Sequence, residues 1–180
     1  MEQLYNSEKM LKIGYVVVVN RGEKGYVGGF LCADENGVPI EFWHTTESPV
    51  KATRIQELLY GATLKPELLG RHIAGSLLSD EQEKPRLEPS ILLTEEEAIL
   101  RGFDVPGISV VLIQRADPHS GDDDVSTCRR IVTTAAGEII IRWRQEATTE
   151  VEQLIPRVKS VDVLEPFERI RLLLDELSEK

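Results

Sequence analysis

A chain of 180 residues, 41% hydrophobic and 29% charged, is long enough to bury one self-sufficient core. Its formal net charge is -10, from 31 acidic against 21 basic residues, which opposes broad, sequence-independent binding to phosphate backbones. No apolar run approaches the roughly 20 residues that span a bilayer, and Met1 to Lys12 lacks the apolar centre of a signal peptide. Cys32 and Cys128 lie far apart in apolar segments and read as reduced, buried thiols, so the expected compartment is the cytosol.

The β-branched run Val16, Val17, Val18 and Val19 opens the ordered part of the chain. A glycine-bearing turn follows at Arg21 to Gly25, then a second apolar run from Tyr26 to Ala33. Asp34-Glu35-Asn36-Gly37 is a turn signal, and Val38 to Thr45 is a third strand candidate. Short connections between three such runs predict an antiparallel meander. Ile55, Leu58, Leu59 and Ala62 then recur at helical spacing, and Gly61 interrupts the piece. Pro66 suits the first turn of a second helix, whose core stripe is Leu69, Ile73 and Leu77. Residues 79–90 carry charges with Pro85 and Pro89 and read as a flexible loop.

Ile91-Leu92-Leu93 is a short buried strand, and Thr94 with Glu97 has the spacing of a capping box that starts a helix through Ala98, Ile99 and Leu100. Ile108 to Gln114 is the next buried strand. Strand, short helix, strand is a crossover unit, so these two strands are expected to be parallel. Two further strands, Ser126 to Thr134 and Glu138 to Arg144, form a hairpin around Ala136-Gly137. Residues 149–180 read as helical, with Val163, Phe167, Ile170, Leu174 and Leu177 in alternating steps of four and three. That stripe suits packing on the sheet or a helix-helix seam in a homodimer. The expectation is a single α+β domain over 1–180. It has a mixed sheet with an N-terminal antiparallel three-strand meander, a βαβ unit, a C-terminal hairpin and flanking helices.

From Lys12 to Arg115 this element order resembles the ribonuclease H-like arrangement, in which a meander joins through a helix to a strand-helix-strand unit. The resemblance implies, for members that cut or transfer nucleic acid, metal-binding carboxylates that include one on the first strand and one near the end of the fourth. Here Gly14 to Asn20 holds no acid, and Glu95 after the fourth strand is explained as a first-turn acid favoured by the helix dipole. Fold alone does not decide function.

Glu41 and His44 suggest a base and its orienter, but alternation along a strand puts Val38, Ile40, Phe42 and His44 on one face and Glu41, Trp43 and Thr45 on the other. His44, Lys51 and Arg54 gather where a strand exits toward a helix, with Thr45, Thr46 and Ser48 as donors to an anion; the simpler reading is a helix cap made by Thr46 or Ser48. Asp122-Asp123-Asp124, with Asp117 and His119, lacks the ligand spacing of a calcium loop and reads as an exposed acidic loop. The glycines at Gly25, Gly28 and Gly29 lie inside the meander and open no helix, so they make no phosphate-binding turn.

The C-terminal hairpin is the most distinctive feature. A turn at Ala136-Gly137 sets Arg129 opposite Arg144 and Ile131 opposite Arg142, with all three arginines on one face and Val132, Ile139, Ile141 and Trp143 on the core side. Like charges facing each other are destabilising unless something neutralises them, either an internal acidic helix or a partner. On this basis the expected function is a non-catalytic protein-interaction or accessory subunit of a cytosolic assembly. Its partner surface is Arg129, Arg142 and Arg144, it needs no cofactor or metal, and nucleic acid is not its expected ligand. The first alternative is a metal-dependent hydrolase or nuclease near Glu41 and His44, with residues from Thr46 to Arg54. The second is nucleic-acid binding through Arg115, Arg129, Arg130, Arg142 and Arg144.

Overall fold

The computed structural model describes residues 11–78, 89–116 and 126–179. The chain is an α+β protein built on one mixed sheet of seven strands in the order β3-β2-β1-β4-β5-β7-β6. The strands are β1 Ile13–Asn20, β2 Tyr26–Ala33, β3 Pro39–His44, β4 Ile91–Thr94, β5 Ser109–Arg115, β6 Thr127–Thr134 and β7 Gly137–Arg144. The first three form the antiparallel meander, β1, β4 and β5 run parallel, and β7 and β6 return antiparallel. Helices α1 Arg54–Tyr60, α2 Gly75–Leu78, α3 Glu97–Gly102, α4 Thr148–Ser160 and α5 Glu165–Ser178 accompany the sheet. A π-helical segment, Pro66–Ala74, leads directly into α2. Among the described residues no helix is long and apolar enough to cross a membrane.

The central strands are buried on both faces, which is why they read as continuous apolar runs rather than alternating ones. Ile13, Tyr15 and Val17 of β1 join Leu93, Val111 and Ile141 on one face, beneath α4 and α5. Val16, Phe30, Leu92 and Leu112 form the other, beneath the π-helical segment, α2 and α3. The stripe Val163, Phe167, Ile170 and Leu174 is buried on the first face. Of the two readings of this stripe, packing on the sheet is the one the fold adopts. Gly28 and Gly29 let the two layers approach. A β-carbon at Gly28 would lie 2.4 Å from Ile73 Cγ2, and one at Gly29 2.6 Å from Ile170 Cγ2.

Three local expectations are revised. Helix α1 buries no residue: Ile55, Leu58 and Leu59 are 76%, 70% and 75% exposed, so this apolar stripe faces solvent and not the core. Periodicity shows that a helix is amphipathic but not that a neighbour lies on its apolar side. The cap of α3 is Glu96, whose side chain accepts from the Ala98 amide, while Thr94 stays in β4 and accepts from the Glu96 amide through its hydroxyl. The last hairpin turns through Ala135-Ala136, so Arg129 faces Arg142, Thr127 faces Arg144 and Ile131 faces Ile140. That is a register shift of two residues, an even number, so each side chain keeps its predicted face.

Candidate functional site

Ligands of sheets with parallel strands gather beyond the strands' carboxyl ends, where β1 ends at Asn20 and β4 at Thr94. Three carboxylates near this end have basic partners. Glu95 pairs with Arg171 of α5. Glu96 lies 3.3 Å from Lys65 Nζ, and Asp175, one turn beyond Arg171, is 2.6 Å from Arg21 Nη2. No acid stands on β1, and no group of three or more His, Cys, Asp or Glu side chains meets among the described residues. The divalent metal implied by the ribonuclease H-like resemblance therefore does not fit: β1 offers no acid, and Glu95, Glu96 and Asp175 are paired with Arg171, Lys65 and Arg21 where cation ligands would need free carboxylate oxygens.

The sequence-predicted pair Glu41 and His44 is not brought together. Glu41 is opposite Cys32, and its Oε2 is buried without a hydrogen-bond partner among the described residues. His44 lies on the other face and stacks on Phe42, with ring centroids 5.9 Å apart at 28°. The His44 Nδ1 is 2.8 Å from the Thr46 hydroxyl. The Thr45 hydroxyl accepts from the Gly28 amide at 2.8 Å, so these threonines serve the strand exit rather than cap a helix. The cap of α1 is Thr53, in a capping box with Gln56. Arg54 pairs with Glu57 on the exposed α1, whereas His44 and Lys51 share the wall of a groove. The acidic segment with Asp117, His119 and Asp122-Asp123-Asp124, and positions 79–88 of the predicted loop, lie outside the described residues.

That groove has a volume of about 880 Å³ and runs along the β3 edge. From β3 it is bordered by Trp43 on the face of the helical layer and by Phe42 and His44 on the opposite face of the strand, and from the helical layer by Leu68, His72 and Ser76, spaced by four. A second concavity of about 460 Å³ lies at the carboxyl end of β1, bounded by Asn20, Gly25, Tyr26 and Lys65. Lys51 and Leu68 border both, so the two adjoin at these residues. Local folding places Lys51 at the junction. Tyr26 and Val50 exchange two backbone hydrogen bonds of 2.8 Å, and the Lys51 ammonium donates to the Glu23 carbonyl at 3.0 Å. Gly25 makes the close approach feasible. Its φ is +96°, and a β-carbon there would lie 2.5 Å from the Val50 carbonyl oxygen. Sequence reasoning found His44 and Lys51 but missed Asn20, Lys65 and His72. The legible signal for His72 was the row Leu68, His72 and Ser76 beside the apolar stripe.

The hairpin arginines are largely engaged within the chain. Arg142 is buried, its Nη2 3.4 Å from Glu97 Oε1 and 3.5 Å from the Thr127 hydroxyl. Arg144 donates to the Phe103 carbonyl at 2.6 Å and lies 3.8 Å from Asp104. Arg130 pairs with Glu152 of α4 at 2.8 Å. The neutralising acids come from α3, its following loop and α4. Burial pushes the Tyr15 hydroxyl up to about 12, with Glu165 adding to the shift, and pushes the Cys32 thiol up to about 11.

No protein-family model matches this chain, and no curated protein matches its sequence. Two solved structures of Ciona intestinalis endonuclease V are similar to it in fold. One, a substituted form in complex with a 23mer DNA containing an inosine followed by a ribo-adenosine, is 9% identical with a TM-score of 0.48, over 96% of this chain and 87% of that one. The other, with a 24mer DNA, is 11% identical with a TM-score of 0.37, over 77% and 72%. Both of these chains are endonuclease V in complex with DNA. With that finding the expectation of a protein-interaction or accessory subunit, with a protein as partner and nucleic acid not the expected ligand, is corrected. Its physical ground is also reduced, because Arg142 and Arg144 spend their charge inside the chain.

Proposed function

We propose that this protein binds nucleic acid in the channel along β3 and the carboxyl end of β1. The observation that carries the reading is the groove beside β3, where Trp43, Lys51 and His72 line one cavity and Lys51 also borders the concavity at the end of β1. Proteins that hold nucleic acid without reading its sequence combine cations that follow the backbone with aromatic rings for the bases. The acids that line the channel, Glu47 and Glu57, and the Glu96 partner of Lys65 limit its positive charge, and the reading stops at binding. The overall charge of -10 makes the interaction local and modest in strength.

The test is fluorescence anisotropy with a labelled DNA hairpin bearing a single-stranded overhang. Two lysine contacts predict a slope of about -1.4 for log affinity against log salt. Lys51→Ala with Lys65→Ala should flatten that slope and weaken binding at 50 mM salt at least tenfold, with an unchanged urea midpoint. No binding by the native chain, or binding indifferent to the double substitution, would refute the proposal.

A further inference from the structure

We infer that His44 and His72 make binding in the groove beside β3 acid-dependent, adding phosphate contacts when their rings take up protons; this rests on the proposed nucleic-acid reading and names its regulation. The fixed charges of the groove do not favour a polyanion. Its lining holds one lysine, Lys51, and one carboxylate, Glu47, which cancel. The adjoining concavity adds Lys65 and Glu57, and Lys65 is already tied to Glu96. What remains at the groove is two of the chain's three histidines. Histidine is the side chain whose ordinary titration, near pH 6.5, changes its charge between pH 5 and 8. Protonation of both rings turns a lining without net charge into a positive one, while carboxylates largely keep their charge down to about pH 5.

Both rings are placed for this. His44 is half-buried at the end of β3, with its Nδ1 2.8 Å from the Thr46 hydroxyl. A hydroxyl donates to a neutral ring nitrogen and accepts from a protonated one, so that contact holds in both states and leaves Nε2 over. His72 is exposed on the helical layer. The two border the groove from opposite faces of β3, so their charges flank it rather than meet at one point. A phosphate within a Debye length of each, about 10 Å at 0.1 M salt, is attracted by both. Charges on the neighbouring elements do not cancel the gain. Strand β2 has no charged side chain and sets Gly29 opposite His44. Glu67 is tied to Arg71 on the helical layer, Glu97 to Arg101 on α3, and Asp175 of α5 to Arg21.

The experiment repeats the anisotropy titration of the labelled overhang hairpin at pH 8.0 and pH 5.5, each at 50 mM and 200 mM salt. The expected result is at least tenfold tighter binding at pH 5.5 in 50 mM salt, with a salt slope steeper by about 1.4 for two added contacts. His44→Gln with His72→Gln should bring the affinities at the two pH values within about threefold of each other. His72→Gln alone, at an exposed position, should remove about half of the dependence on a logarithmic scale and guards against a disturbed strand exit in the double variant. Equal native binding at both pH values would overturn the inference and leave the nucleic-acid reading intact. A pH dependence that survives the double substitution would also overturn it, since the protons would then be taken up elsewhere. Failure to bind at either pH would overturn both.

Discussion

Replacing Gly102 by alanine tests how the channel wall is held. Gly102 ends α3 where that helix crosses the π-helical segment. A β-carbon there would stand 1.9 Å from the Pro66 carbonyl oxygen and 2.6 Å from its carbon. Against an ordinary carbon–oxygen contact of about 3.3 Å, the two backbones must part by about 1.4 Å. The obstacle is main chain at the first turn of a packed helix, so no rotamer change relieves it. Overpacking costs about 1–3 kcal/mol when side chains yield, and this case belongs at the upper end, near 3 kcal/mol. Gly75→Ala is the internal control. It lies in α2 with nothing within 4 Å of its added carbon, so it should gain about 0.5–1 kcal/mol from reduced chain entropy. Urea denaturation followed by circular dichroism reads both, the midpoint moving in opposite directions at constant m. Because Leu68, His72 and Ser76 belong to the same helical layer, Gly102→Ala should also weaken binding in the channel. Gly102→Ala with a midpoint equal to that of the native chain, or Gly75→Ala with a lowered one, would refute this account of the helix crossing.

Three further outcomes are expected. Tyr15 and Cys32 hold their protons more tightly when folded, so their stabilisation is full below the unfolded values of 10.0 and 9.0 and is lost as pH rises toward about 12 and about 11. Each contributes a loss of roughly 3 kcal/mol, so thermal stability should fall from about pH 9 upward, and Tyr15→Phe should flatten the upper part of that profile. Arg142 makes long polar contacts around a buried stem, so Arg142→Met should stay within about 1 kcal/mol of native stability while Arg142→Ala loses about 2 kcal/mol; equal losses would show that the charge matters more than the stem. Converting Ile55, Leu58 and Leu59 together to glutamine should leave the urea midpoint within the small range of surface substitutions, about 0.5 kcal/mol each; a collapse would mean that α1 is packed in solution.

Much of the architecture was legible because short connections and buried β-branched runs restrict the choices. The turns at Arg21 to Gly25 and Asp34 to Gly37 made β1, β2 and β3 antiparallel neighbours, and the short crossover through α3 made β4 and β5 parallel. Alternation separated Glu41 from His44 without coordinates, because a regular strand sends residues three apart to opposite faces. The candidate site was legible only in part. His44 and Lys51 sit close in sequence to the same strand exit, whereas Lys65 and His72 reach the channel through the path of the helical layer. The hairpin arginines illustrate the same limit: their shared face followed from period two, but their neutralisation came from Glu97 and Asp104, which only the fold brings near.

The sequence by itself determined the local directions of the chain: where it turns, which strands pair with neighbours in sequence, and which side chains share a face. Those are set by steric preference and periodicity within a few residues. The tertiary structure decided which amphipathic faces found a partner, leaving α1 bare and covering the α5 stripe. It also decided which charges from distant segments meet, since burial and ion pairing depend on positions that no local pattern encodes.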